Sequence, residues 1–135
     1  MNDNCVFCKI LNKEIPSYKI YEDEFTYAFL DISKDVFGHT LVIPKKHVTN
    51  ILDADETTLE NVIKTIKKVS KHYTQNCGFE GVNIMNANHE SAGQTVFHLH
   101  FHIIPRKTGD GVDAWPKFDG SNEELQNVCE KLKMN

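Results

Sequence analysis

The segment His98-Leu99-His100-Phe101-His102-Ile103-Ile104-Pro105 alternates imidazole and apolar side chains, and this pattern constrains the chain more than any other. On an extended strand successive side chains project to opposite faces, so Leu99, Phe101 and Ile103 point one way and His98, His100 and His102 the other. One face is core and the other carries three titratable rings. Each buried ring nitrogen needs a hydrogen-bond partner or bears a desolvation cost, so packing is a poor reason to collect them.

Three readings of that face stand side by side. The first is a polar outer surface that happens to carry histidine. The second is a metal site, although His98 and His102 lie roughly 13 Å apart along a strand while zinc–nitrogen bonds are about 2 Å, so one ion cannot take all three rings without a bulge. The third is nucleophilic catalysis. A neutral imidazole that donates one nitrogen to a backbone carbonyl offers the other as a lone pair toward phosphorus, and the central ring, His100, is the natural candidate. Just upstream, Ala92-Gly93-Gln94-Thr95 combines a glycine that permits close backbone approach with donors for phosphate oxygens or a leaving group.

The rest of the chain supplies partners for this strand. Tyr18 to Glu22 and Phe25 to Asp31 read as a β-hairpin, and His39 to Ile43 as a third strand entered through Gly38 and stopped at Pro44. Leu59, Val62, Ile63, Ile66 and Val69 recur at helical spacing and predict one amphipathic helix from about Asp55 to Cys77, closed by Gly78. Strands follow over Gly81 to Asn86 and Val96 to Ile104, then a second helix over Asn122 to Lys133. The expectation is a single domain over residues 1–135: an α+β antiparallel sheet of about five strands, with a central helix and a C-terminal helix on one face.

Charge and composition remove other classes. Nineteen acidic against fifteen basic residues give a net charge of −4, which leaves no basic excess for a nucleic-acid partner. No apolar run approaches the roughly 18 residues of a membrane span, and the N-terminus lacks the basic and apolar regions of a secretory signal, so a cytoplasmic location is expected. There the four cysteines are too few for a disulfide scaffold, and the Cys5-x-x-Cys8 pair suggests metal or redox chemistry. Thioredoxin-type redox is disfavoured because Cys5 precedes the first strand instead of following one onto a helix.

These residues resemble a known family. The run His98 to Ile104, preceded by Ala92-Gly93-Gln94-Thr95-Val96-Phe97, resembles the histidine triad (HIT) nucleotide hydrolases and transferases. Ala28-Phe29-Leu30-Asp31-Ile32, then Gly38-His39-Thr40-Leu41-Val42-Ile43-Pro44-Lys45-Lys46-His47, and the opening Cys5-Val6-Phe7-Cys8-Lys9-Ile10 are similar to its Hint branch. The resemblance implies a purine nucleoside phosphoramidase in which His100 attacks phosphorus and water then hydrolyses a nucleotidyl-histidine. It implies that His102 and His39 contact the phosphoryl group and orient the nucleophile, and that Gln94 and Thr95 bind it and help protonate the leaving nitrogen. Asp31 is expected on the ribose hydroxyls, Phe7, Ile10, Phe29 and Ile32 around the base, and Asn86 near the phosphate. No divalent cation is expected in catalysis.

By the same resemblance, Cys5 and Cys8 are joined by His47 and His98 around a structural zinc, and two subunits pair as a homodimer through the central helix and a sheet edge. Trp115 is expected to reach the partner's site. Two neighbouring readings are hydrolysis of dinucleoside polyphosphates and a nucleotide-binding partner protein without catalysis. Thr95 stands where many members of the branch carry serine, and the loop from Asn86 to Gly93 is about one residue longer than in some relatives.

Overall fold

A computed structural model describes residues 4–134. Residues 1–3 of the N-terminal stretch read above, and residue 135, lie outside the described residues. The element order is α1 (Val6–Leu11), β1 (Lys19–Glu22), β2 (Thr26–Leu30), β3 (Thr40–Pro44), α2 (Glu56–Asn76), β4 (Gly81–Met85), β5 (Phe101–Arg106) and α3 (Leu125–Leu132). A single 3-10 turn, Glu90–Ala92, interrupts the loop between β4 and β5. The strands form one antiparallel sheet in the order β1-β2-β3-β5-β4.

The hairpin forms because Asp23 turns the chain: its Oδ1 accepts the backbone N–H groups of Phe25 (2.9 Å) and Thr26 (2.8 Å). From that turn β2 runs in register with β3, pairing Ala28 with Val42 and Phe29 with Leu41. Alternate residues of β2 therefore serve two cores. Ala28, Val42 and Ile103 pack against Val62, Ile66, Val69 and Tyr73 of α2, where each large apolar side chain contributes roughly 1.5–3 kcal/mol. Two buried hydroxyl pairs tie α2 to the sheet, Thr26–Thr65 and Thr40–Tyr73, both at 2.6 Å.

The opposite face is also covered, which corrects the expectation of helices on one side. Phe29, Leu41 and Ile43 pack against Phe7 and Cys8 of α1. This six-residue helix is too short to carry a periodic signal, and its N-cap is Cys5, whose Sγ accepts the Cys8 N–H at 3.4 Å. The Cys-x-x-Cys pair thus opens a helix that comes before the first strand, so no strand leads into it.

The histidine segment is a strand only in part. Hydrogen-bonded ladder begins at Phe101 instead of Val96, because residues 96–100 leave the sheet and the Leu99 N–H donates to Val48 O at 2.8 Å. Leu99 and Ile103 are fully buried, as the alternation predicts, but His98 is fully buried too. α3 begins at Leu125, three residues after the predicted start, and stands in solvent with Leu125 and Leu132 exposed.

Candidate functional site

His100 lies at the threshold of β5, where its Nδ1 meets the His98 carbonyl at 2.8 Å. A carbonyl only accepts, so Nδ1 carries the proton and Nε2 is left as a lone pair. The His100 carbonyl is itself held, at 2.9 Å, by the Asn86 amide. Edge contacts with the Phe7 ring at 5.2 Å and the His102 ring at 5.1 Å fix the plane of the imidazole. Burial pushes its pKa below the usual histidine range, which keeps the ring neutral and nucleophilic near pH 7.

His102 on β5 and His39 at the entrance to β3 join it, with His39 Nε2 and His102 Nδ1 2.8 Å apart. Burial, and then the adjacent His100 and His39, push His102 down to about 4. Asp31 Oδ2 stands 3.8 Å from His39 Nε2, while its Oδ1 accepts the Ser33 N–H at 2.8 Å. Asp31 therefore forms the turn and also faces the site. Gly38 is required at the entrance to β3: its φ is 78°, and a Cβ there would lie 2.8 Å from Cγ of Pro105.

Asp31, His100 and His102 border a cavity of about 270 Å³, while His39 stands behind His102, outside its lining. Its apolar wall contains Phe7, Ile10, Phe29 and Ile32, and its polar side Asp31, Thr95, His100 and His102. Ile32 is 79% exposed and flanks the cavity mouth, whereas Phe7 and Phe29 are buried. Besides His39, three predicted residues take other places. Gln94 is buried with its amide committed internally, accepting from the His89 N–H and Asn50 Nδ2 and donating to Thr49 O and Val96 O. Its side chain braces the loop that presents Thr95. Asn86 acts on the His100 backbone and is absent from the cavity lining. Trp115 is 71% exposed and lies outside the cavity of its own chain. The sequence reading missed Asp35, whose Oδ1 lies 2.7 Å from His39 Nδ1; its one signal was a carboxylate four residues before a histidine.

Behind His100 lies a second, closed cluster. Cys5 Sγ and Cys8 Sγ stand 3.4 and 3.6 Å from His98 Nδ1, Cys8 Sγ 3.4 Å from His47 Nδ1, and the two Nδ1 atoms 3.2 Å apart. Around a tetrahedral zinc-sized ion, with bonds of about 2.3 Å to sulfur and about 2.0–2.1 Å to nitrogen, the S···N edges are roughly 3.6 Å and the N···N edge roughly 3.3 Å. The four donors fit that figure. The His98 Nε2–H donates to Pro44 O at 2.8 Å, which turns the Nδ1 lone pair toward the sulfurs. Burial pushes His98 down to about 4, so it is neutral and able to ligate, and burial raises the Cys5 thiol, an unfavourable environment for a free thiolate that a cation would relieve.

The antiparallel sheet, the imidazoles gathered at the start of β3 and of β5 and the cluster behind them define a histidine triad domain. Residues 12–109 match the HIT domain family, and the chain belongs to it. It is 50% identical to an uncharacterized HIT-like protein of Borreliella burgdorferi over 98% of each chain. It is 38% identical to the Candida albicans protein named adenosine 5'-monophosphoramidase HNT1, covering 96% of this chain and 90% of that one. Among solved structures, a Zn-bound histidine triad family protein from Mycobacterium smegmatis superposes with a TM-score of 0.78 at 35% identity, covering 86% of this chain and 84% of that one.

Proposed function

We propose that the protein is a purine nucleoside phosphoramidase, cleaving the P–N bond of adenosine or guanosine monophosphate amides. The observation that carries this reading is the His100 imidazole, neutral, with Nδ1–H given to a carbonyl and Nε2 free beside a cavity of about 270 Å³ with one apolar wall and one polar side. The name of the Candida albicans relative supports it. His100 Nε2 attacks phosphorus, the P–N bond breaks, and the amine departs with a proton delivered past Thr95. Water then attacks the nucleotidyl-histidine, freeing the nucleoside monophosphate and returning His100.

Asp31 accepts from the ribose hydroxyls, Phe7, Ile10, Phe29 and Ile32 hold the base, and His102 stands beside the phosphoryl group with His39 hydrogen-bonded behind it. Asn86 and Gln94 act from behind, one on the His100 backbone and one on the Thr95 loop. Cys5, Cys8, His47 and His98 would hold zinc, which when bound supplies a cross-link between the α1 segment and the triad and no reactive position. A cytoplasmic homodimer is part of the same reading. Its support is the edge strand β4, with Ile84 40% exposed, and Ile63 of α2, 54% exposed. In such a dimer Trp115 would extend toward the partner's cavity.

Adenosine 5'-phosphoramidate and a diadenosine polyphosphate, assayed side by side, test the substrate class. The phosphoramidate is expected to have the higher kcat/KM, with turnover lost in His100→Ala. A preference for the dinucleotide would move the protein to the neighbouring hydrolase activity, and nucleotide binding without turnover would make it a binding protein.

A further inference from the structure

Asp35 has no part in the chemistry above, yet its carboxylate makes one of the shortest contacts near the site. A carboxylate Oδ1 at 2.7 Å can only accept, so His39 Nδ1 carries a proton and His39 Nε2 faces His102 Nδ1 at 2.8 Å. The result is a directed chain, Asp35 to His39 to His102, that reaches the cavity at the remaining nitrogen of His102.

We infer that Asp35 is a positioning residue for the reaction proposed above, holding His39 in its Nδ1–H tautomer and thereby setting the direction of the His39–His102 hydrogen bond. In the neutral chain His102 Nδ1–H donates to His39 Nε2, and His102 Nε2 is a lone pair. A proton arriving at His102 Nε2, from the water that hydrolyses the nucleotidyl-histidine, is matched by transfer of the Nδ1 proton to His39 Nε2. Positive charge then rests on His39, beside the Asp35 carboxylate. Without that carboxylate the tautomer is free to reverse, and His102 presents a donor where the water step needs an acceptor.

The loop is built to place this group. The Asp31 N–H donates to His39 O at 2.8 Å, the Ser33 N–H to Asp31 Oδ1 at 2.8 Å, and the His39 N–H to Val36 O at 3.3 Å. Lys34 takes a left-handed φ of 58° and Gly38 seats against Pro105, so four residues curl Asp35 under the ring that follows. The Asp35 side chain is 58% exposed, and a polar contact so placed adds little to folding stability. Its effect is on direction.

The test pairs imidazole 15N NMR with steady-state kinetics on the full chain and on Asp35→Ala, Asp35→Asn and Asp35→Glu. Wild type is expected to show His39 protonated at Nδ1, and Asp35→Ala to lose that signature. In Asp35→Ala kcat falls roughly 10-fold, the scale of an orienting partner, with KM within about twofold. Asp35→Asn loses activity to a similar extent, Asp35→Glu regains part of it, and Tm stays within about 2 °C throughout. An unchanged His39 tautomer in Asp35→Ala, or a loss of kcat that tracks a loss of Tm, overturns the inference in favour of simple loop bracing. The NMR arm needs no substrate: a wild type inactive on the phosphoramidate defeats the proposed function, while the tautomer still decides the role of Asp35.

Discussion

His98 and His100 are two residues apart and have opposite fates. His98 is fully buried with both nitrogens committed, Nε2 to the Pro44 carbonyl and Nδ1 to the cluster of Cys5, Cys8 and His47. His100 commits only Nδ1 and keeps Nε2 for the cavity. The same side chain is a structural tie in one place and a reactive group in the other, and what separates them is how many nitrogens the fold has already used. The two are also joined, because the acceptor that orients His100 is the backbone carbonyl of His98.

Removing one donor from the closed cluster should break the comparison most visibly. In zinc-replete protein, Cys8→Ala is expected to abolish stoichiometric metal and lower Tm on the order of 10 °C, with turnover per folded molecule reduced less than tenfold. Metal analysis and calorimetry check it; full zinc content in the variant contradicts the assignment. Gly38→Ala acts on the open side instead. Its Cβ meets Pro105 and its φ is unfavourable, so a loss of roughly 2 kcal/mol is expected in urea unfolding, with a raised KM and unchanged metal content. A wild-type KM would mean that the loop does not hold Asp31 and His39.

A smaller effect comes from acid and touches both sides at once. In the folded, metal-free chain His98 and His102 sit near 4 instead of 6.5, and His100 is also lowered. Below about 6.5 the unfolded chain binds protons that the folded chain refuses, so the stability these neutral rings contribute is present above 6.5 and is lost as pH falls toward 4. Urea midpoints at pH 7.5, 6 and 5 should fall in that order. A midpoint that rises toward acid contradicts the buried, neutral state.

Much of this arrangement is legible in the residues. Alternation located the buried Leu99 and Ile103, the helical stripe located α2, and the paired runs Tyr18 to Glu22 and Phe25 to Asp31 located β1 and β2. The two-faced sheet was present as a signal that the α+β reading passed over: every residue of β3 is buried, as its unbroken apolar run Leu41-Val42-Ile43 suggests. α1 was hidden because it is short and capped by a thiol. The depth of His98, the internally satisfied amide of Gln94 and the reach of Asp35 are tertiary facts, set by partners 93, 45 and 4 residues away, and only the last leaves a local trace.

The central claim is that His100 bonds transiently to phosphorus. Rapid acid-free quenching of the reaction with adenosine 5'-phosphoramidate, followed by intact and peptide mass spectrometry, tests it directly. One adenylyl group on the peptide containing His100, absent in His100→Ala, is the predicted result. Steady turnover with no adduct on that peptide, or an adduct that survives in His100→Ala, would contradict it.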